Sequence, residues 1–171
     1  MTEVKNSSEH PNTSTDDNYD ETCVFCTIAN GDCPQTNILF IDEDFVCFQD
    51  IYPGAAHHYL VVPKKHIHSC KNLEADDISL VKKMAEIGRS VLKSNNVTDF
   101  EDISLGFHVP PYISVPHLHL HVLAPYSQLY MKTEYKFTDL SYITVEALLQ
   151  ALEMIKGGRK LKWINCFPKY I

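Results

Sequence analysis

The sequence predicts an α+β domain, an antiparallel sheet of about five strands carrying one long helix and a short C-terminal helix. Three observations lead there. Residues 73–95 place Ile78, Val81, Ala85, Val91 and Leu92 on one helical face. Around that stretch lie short β-branched and aromatic runs punctuated by Asp, Gly and Pro. Further on, His117-Leu118-His119-Leu120-His121 alternates with the period of a strand.

Taken in order, residues 1–21 are rich in Ser, Thr, Asn and Asp and have little to bury, so a disordered acidic tail is expected; a regulatory or targeting arm is the alternative. The domain is expected over residues 22–156 and a basic C-terminal tail over 157–171. Cys23 to Asn30 reads as about two helical turns capped by Thr22 and stopped by Gly31 and Pro34. Asn37–Ile41 and Phe45–Asp50 read as a hairpin around Asp42-Glu43-Asp44, and His58–Val62 as a strand ended by Pro63. Leu73–Asn95 is the long helix. Ile103–Val109 and His117–Leu123 are the remaining strands, stopped by Pro110 and Pro125. Thr144 can cap a last helix, Val145–Lys156, which Gly157-Gly158 ends.

Charge and composition exclude several classes. The net charge is −7, but residues 1–22 hold six of the 22 acids and one of the 15 bases. The body is therefore near neutral, and neither nucleic acid nor membrane is an expected partner. No run approaches about 18 apolar residues, so no membrane span is expected. Without a signal-peptide core, a reducing compartment is the default, and the six cysteines are read as thiols or metal ligands rather than disulfides. The expected location is cytoplasmic, with the nucleus as an additional candidate.

The histidine run carries the chemistry. On a strand, same-face neighbours stand roughly 6.6–7 Å apart, so three imidazoles line one face while Leu118, Leu120 and Val122 enter the core. As packing this is costly, because each ring needs partners for two nitrogens. It suits a site where one ring attacks, a second holds a phosphate oxygen and a third fixes a tautomer. The alternatives are a metal-binding strand or a polar sheet face.

This His117-to-Leu123 pattern resembles the signature of the histidine triad family, and the likeness runs from about Cys23 to Pro125. It takes in Phe48-Gln49-Asp50-Ile51 and His58-Tyr59-Leu60-Val61-Val62-Pro63-Lys64-Lys65-His66-Ile67. Within the family the chain is similar to the nucleotide-binding branch, above all its adenosine 5'-monophosphoramidases. That closer likeness rests on Cys23-Val24-Phe25-Cys26, on Gly106-Phe107-His108-Val109-Pro110-Pro111 and on the extra C-terminal helix. The resemblance implies a histidine-triad-like fold and a homodimer or larger homo-oligomer. It implies release of AMP from purine nucleoside phosphoramidates and aminoacyl adenylates, with no cofactor required for catalysis. His119 would be the nucleophile and His121 would hold a phosphate oxygen, while His117 and His58 orient the triad. Asp50 would accept from the ribose, with Ile51 and Phe48 walling the base, Ser114 assisting the departing amine and Leu120 completing the nucleotide site.

The resemblance also implies a candidate structural zinc held by Cys23, Cys26, His66 and His117; two buried thiols are the alternative. Where the branch commonly has an Asn and a Gly-Gln-Ser loop, this chain has Gly106 and Tyr112-Ile113-Ser114, so substrate preference is expected to differ on the leaving-group side. His57, His68 and His108 are read as loop or surface residues, and Lys64 and Lys65 as a solvated pair that can steer anions. Arg159, Lys160, Lys162, Trp163 and Lys169 fall in the basic tail. The rival readings are a dinucleoside polyphosphate hydrolase, an aprataxin-like deadenylase and a nucleotide-binding adaptor without turnover.

Overall fold

The computed structural model describes residues 19–130 and 134–158. The expected acidic tail, apart from its last three residues, and the expected basic tail beyond Gly158 lie outside them. Among the described residues six antiparallel strands form one sheet in the order β1-β2-β3-β5-β4-β6. These are β1 (Ile38–Ile41), β2 (Phe45–Gln49), β3 (His57–Pro63), β4 (Ser104–His108), β5 (Leu120–Ala124) and β6 (Tyr142–Thr144).

Period-two alternation sorts the side chains to two faces. Cys47, Tyr59, Val61, Leu105, Phe107, Leu120, Val122 and Ile143 pack beneath two helices, α2 (Ile78–Ser94) and α3 (Val145–Lys156). Helix α2 rides close on β5. A Cβ added at Gly88 would lie 2.7 Å from a Val122 methyl, so only glycine permits that approach.

The opposite face carries the histidines between two small apolar clusters. At one end α1 (Val24–Ala29) packs Phe25, Cys26 and Ala29 against Val46, Phe48, Leu60 and Val62. At the other end Ala55, Leu123, Phe137 and Tyr142 gather.

The helices bear out the sequence at α3, whose Thr144 cap accepts from Ala147 N–H at 3.3 Å and which ends at Gly157. Elsewhere the boundaries move. Cys23, not Thr22, is the α1 cap, because the Thr22 hydroxyl and N–H are both turned onto the Asp20 carboxylate. Helix α2 starts at Ile78 rather than Leu73, after two 3-10 turns, Cys70–Asn72 and Ala75–Asp77. There Ser69 takes the Lys71 N–H and Asp77 takes the Glu74 N–H at 2.8 Å, side-chain bonds that compete with an α ladder.

Two corrections concern the sheet. Strand β6 has three residues and shows no alternation in the sequence; it pairs with β4 through Gly106–Thr144 and His108–Tyr142. Strand β5 begins at Leu120 rather than His117. Its neighbour β3 ends at Pro63, which has no N–H, and the chain then turns away. Leu118 N–H donates instead to Ile67 O at 2.6 Å and His117 N–H to Val115 O at 2.8 Å. The alternation outlasts the ladder, since Leu118 still enters the α2 core while His117 and His119 take the other face.

Candidate active site

Asp50 follows β2, and its carboxylate is aimed by Tyr52 N–H, which donates to Oδ1 at 2.8 Å. Its Oδ2 lies 3.4 Å from His58 Nε2 on β3. His58 Nδ1 accepts from Gly54 N–H at 2.9 Å. In the neutral ring Nε2 therefore carries the hydrogen, and it lies 2.8 Å from His121 Nδ1. That acceptor role leaves His121 with its hydrogen on Nε2. Among the described residues this buried atom has no partner. A buried donor without an acceptor costs roughly 1–3 kcal/mol, and it faces the side where a ligand can supply one.

His119 is fixed by the main chain. Its Nδ1 lies 2.5 Å from the His117 carbonyl oxygen. A carbonyl only accepts, so Nδ1 holds the hydrogen and Nε2 keeps its lone pair. The His119 and His121 ring centres are 5.0 Å apart. Burial lowers His58 to about 3 and His119 to about 4, and holds His121 well below its ordinary value. All three rings are thus neutral at pH 7, as a nitrogen nucleophile needs. Burial raises Asp50, partly offset by the Tyr52 N–H.

These groups border a cavity of about 520 Å³ lined by Asp50, His58, His121, His108, Ser114 and Lys136, among others, a size suited to a small ligand. His119 lines a narrow cleft beside it with Ile113 and His68, and His108 borders both spaces.

The first triad ring serves another corner. His117 Nε2 donates to Pro63 O at 2.8 Å, so Nδ1 presents its lone pair to Cys23 Sγ at 3.3 Å and Cys26 Sγ at 3.4 Å. Cys26 Sγ also lies 3.2 Å from His66 Nδ1. The four ligand atoms all fall within 4.8 Å of one another. Zinc bonds of about 2.0–2.3 Å in a tetrahedron imply ligand edges of roughly 3.3–3.8 Å, so the quartet fits that ion with small shifts. The carbonyl-held His117 tautomer is also the one a metal requires. Burial pushes the Cys26 thiol up to about 11; a bound cation reverses that balance.

The structure thus gathers Asp50, His58, Ser114 and His121 at one cavity, His119 beside it, and Cys23, Cys26, His66 and His117 in one corner. Three expected nucleotide contacts fall elsewhere. Phe48 is 3% exposed and packs edge-on against Phe25 at 5.5 Å, in the α1 cluster. Ile51 is 82% exposed and does not line the cavity. The Leu120 side chain is buried beneath α2, on the opposite face of the sheet, as strand alternation dictates.

The sequence reads His108 as a loop or surface residue, and the structure corrects this, placing it half-buried at the end of β4. Its ring centre is 4.5 Å from that of His121, it stacks on Phe137 at 5.2 Å, and its Nδ1 lies 3.1 Å from Ser141 O. The signal was present. Gly106 and His108 flank the core residue Phe107 on a strand, so both must face the histidine side. The wall formed by Lys136, Phe137, Leu140 and Ser141 left no such periodic trace. His57 turns its Nδ1 to Tyr59 OH at 2.7 Å, away from the site, while Cys47 and Cys70 are buried free thiols and Cys33 is half-buried; Cys166 lies outside the described residues.

Gly106, where an Asn is common in the nucleotide-binding branch, has a physical reason. A Cβ there would lie 2.5 Å from Ile143 O and 2.5 Å from the Tyr142 ring. Tyr142 fills the space that a side chain would take.

Comparison with known proteins agrees with this geometry. The family model described as scavenger mRNA decapping enzyme C-term binding matches residues 22–136. The chain is 65% identical over 153 residues to the adenosine 5'-monophosphoramidase HINT3 of Danio rerio, covering 90% of this chain and 94% of that one. It is 51% identical over 137 residues to the protein of the same name from Xenopus tropicalis, covering 79% and 90%. A solved histidine triad protein from Clostridium difficile superposes with a TM-score of 0.56 at 29% identity, covering 61% of this chain and 90% of its own. With the alternating histidines, the sheet that carries them and these relatives together, the chain belongs to the histidine triad family.

Proposed function

We propose that the protein is a nucleoside phosphoramidase that releases AMP from adenosine 5'-monophosphoramidates and aminoacyl adenylates. The observation that carries the reading is the pairing of two tautomers. His119 offers a lone pair on Nε2, and His121 beside it offers a buried N–H with no partner among the described residues. His119 Nε2 attacks the α-phosphorus as the P–N bond breaks, and water then cleaves the P–N bond to His119 and releases AMP. His121 Nε2–H, set by His58, holds a non-bridging oxygen as charge grows on it. Asp50 accepts from the ribose hydroxyls, and Lys136 adds a cation to the cavity wall. The relatives' names as adenosine 5'-monophosphoramidases favour this over the polyphosphate hydrolase, deadenylase and adaptor readings.

Zinc in the Cys23–Cys26–His66–His117 corner would tie α1 to the start of the triad and take no part in the reaction. A homodimer or larger assembly belongs to the same proposal and rests on resemblance; a cytoplasmic or nuclear place is proposed with it.

The test is AMP release from a fluorogenic adenosine phosphoramidate by wild type and His119→Ala, each with and without a chelator. The reading predicts release that disappears in the variant and survives brief chelation. A wild type that binds AMP yet releases none overturns it in favour of the adaptor.

A further inference from the structure

One more imidazole borders the site. His108 ends β4 and borders both the main cavity and the cleft that holds His119. Its ring centre is 4.5 Å from that of His121, which is itself 5.0 Å from that of His119. A phosphorus within reach of the two triad rings is therefore close to His108 as well.

The ring is also held for proton transfer rather than for packing alone. Ser141 O, 3.1 Å from Nδ1, keeps the hydrogen on that nitrogen. Among the described residues Nε2 has no partner. Phe137 stacks on the ring at 5.2 Å and Tyr142 meets it edge-on at 5.7 Å, which fixes its plane. The charged and titratable groups around it are His121 on β5, His119 just before β5, His58 on β3, Lys136 on the wall before β6, Tyr142 on β6 and, electrostatically, Asp50 after β2. Burial lowers His108, and the Ser141 carbonyl at Nδ1 works the other way; an anionic phosphate would join these groups and favour the ring protonated also on Nε2.

We propose that His108 is the proton-transfer group of the reaction, donating from Nε2 to the departing nitrogen and later accepting a proton there from the attacking water. This rests on the phosphoramidase reading above. In the first step the His119 Nε2–P bond forms, the P–N bond to the amine breaks, and the His108 proton moves to the amine. In the second, the water oxygen bonds to phosphorus, the His119–P bond returns its electron pair to Nε2, and the water proton goes to His108. The cycle closes with His108 recharged and no other reactant needed. One group serves both steps because the amine leaves, and the water enters, opposite the same nucleophile. Ser114, exposed on the same cavity, can donate a hydrogen bond but cannot serve as the base.

The test compares two AMP derivatives in single-turnover experiments, an alkylamine phosphoramidate and the p-nitrophenyl ester, whose phenolate leaves without a proton. In His108→Ala and His108→Gln, cleavage of the alkylamide should fall by about 10²–10⁴-fold. Release of p-nitrophenolate should fall less than about tenfold, and adenylylated protein, now short of its base, should accumulate and register as an intact-mass shift. The ratio of the two rates within one preparation does not depend on how much of a variant is folded. Equal losses on both substrates, or no loss on either, would overturn the proposal by making His108 a support for His121 or a bystander. A wild type inert on both would bring down the phosphoramidase reading, and this one with it.

Discussion

The two ends of the histidine row are built alike and finished differently. At each end a buried ring has one nitrogen held by the protein: His117 by the Pro63 carbonyl, His121 by His58. At the His117 end the second nitrogen meets two cysteine thiols. At the His121 end the second nitrogen meets nothing among the described residues. Satisfying every buried polar atom makes a corner that holds structure together, and leaving one unsatisfied makes a corner that waits for a substrate. His119 lies between the two and draws its orientation from the structural side.

The contrast can be broken most severely at its midpoint. His119→Ala should lower AMP release by about 10⁴–10⁶-fold and leave AMP affinity within a few-fold, as calorimetry would read. A smaller loss would point to another nucleophile. Next, His58→Phe removes the donor that sets His121. Transition-state stabilisation should weaken by about 1–3 kcal/mol, roughly 5- to 150-fold in kcat/KM, with the melting temperature changing little by comparison.

At the other end the readouts should invert. Cys26→Ala strips His117 and His66 of a partner and should cost about 1–3 kcal/mol of stability, several degrees in Tm, while the activity of the folded fraction stays within about threefold. Prolonged chelation of the wild type should move Tm in the same direction. An activity loss in Cys26→Ala matching that of His58→Phe would erase the distinction between the two corners.

Acid probes the midpoint and the His121 end together. His58 and His119 titrate near 3 and 4 when folded, against an unperturbed value of 6.5. The unfolded chain therefore binds more protons in that interval. The stability is present in full above about 6.5 and drains as pH falls toward 4, so Tm should decline across that window. His58→Phe should decline less steeply, and an identical slope would remove His58 from the account. The smallest effect belongs to Ile51, whose side chain is 82% exposed: Ile51→Ser should leave AMP affinity within about twofold.

Much of this was legible in the sequence. Alternation set the faces of β5, the apolar stripe and Thr144 cap set α3, and the chain's resemblance to its family singled out the cysteine–histidine quartet. What escaped reading depended on long-range company. Strand β6 is three residues long and exists because β4 offers it an edge. The true start of β5 is decided by Pro63, more than fifty residues earlier, and the start of α2 by local side-chain bonds stronger than its stripe. His108 looked like a loop residue because its environment comes from residues 137–142, a segment without periodicity.

His117 takes part in both corners through different atoms. Its ring joins the thiols, whereas its backbone oxygen fixes the hydrogen on the nucleophile. Every amino acid supplies that oxygen. Replacing the side chain at 117 can dismantle the cysteine corner without erasing the instruction that keeps His119 reactive, so a scan of side-chain variants will systematically under-report this position. Only a change to the backbone itself, such as an ester in place of the amide that follows, weakens the carbonyl. The setting on which reactivity most depends is written in the part of the polymer that codon changes do not reach.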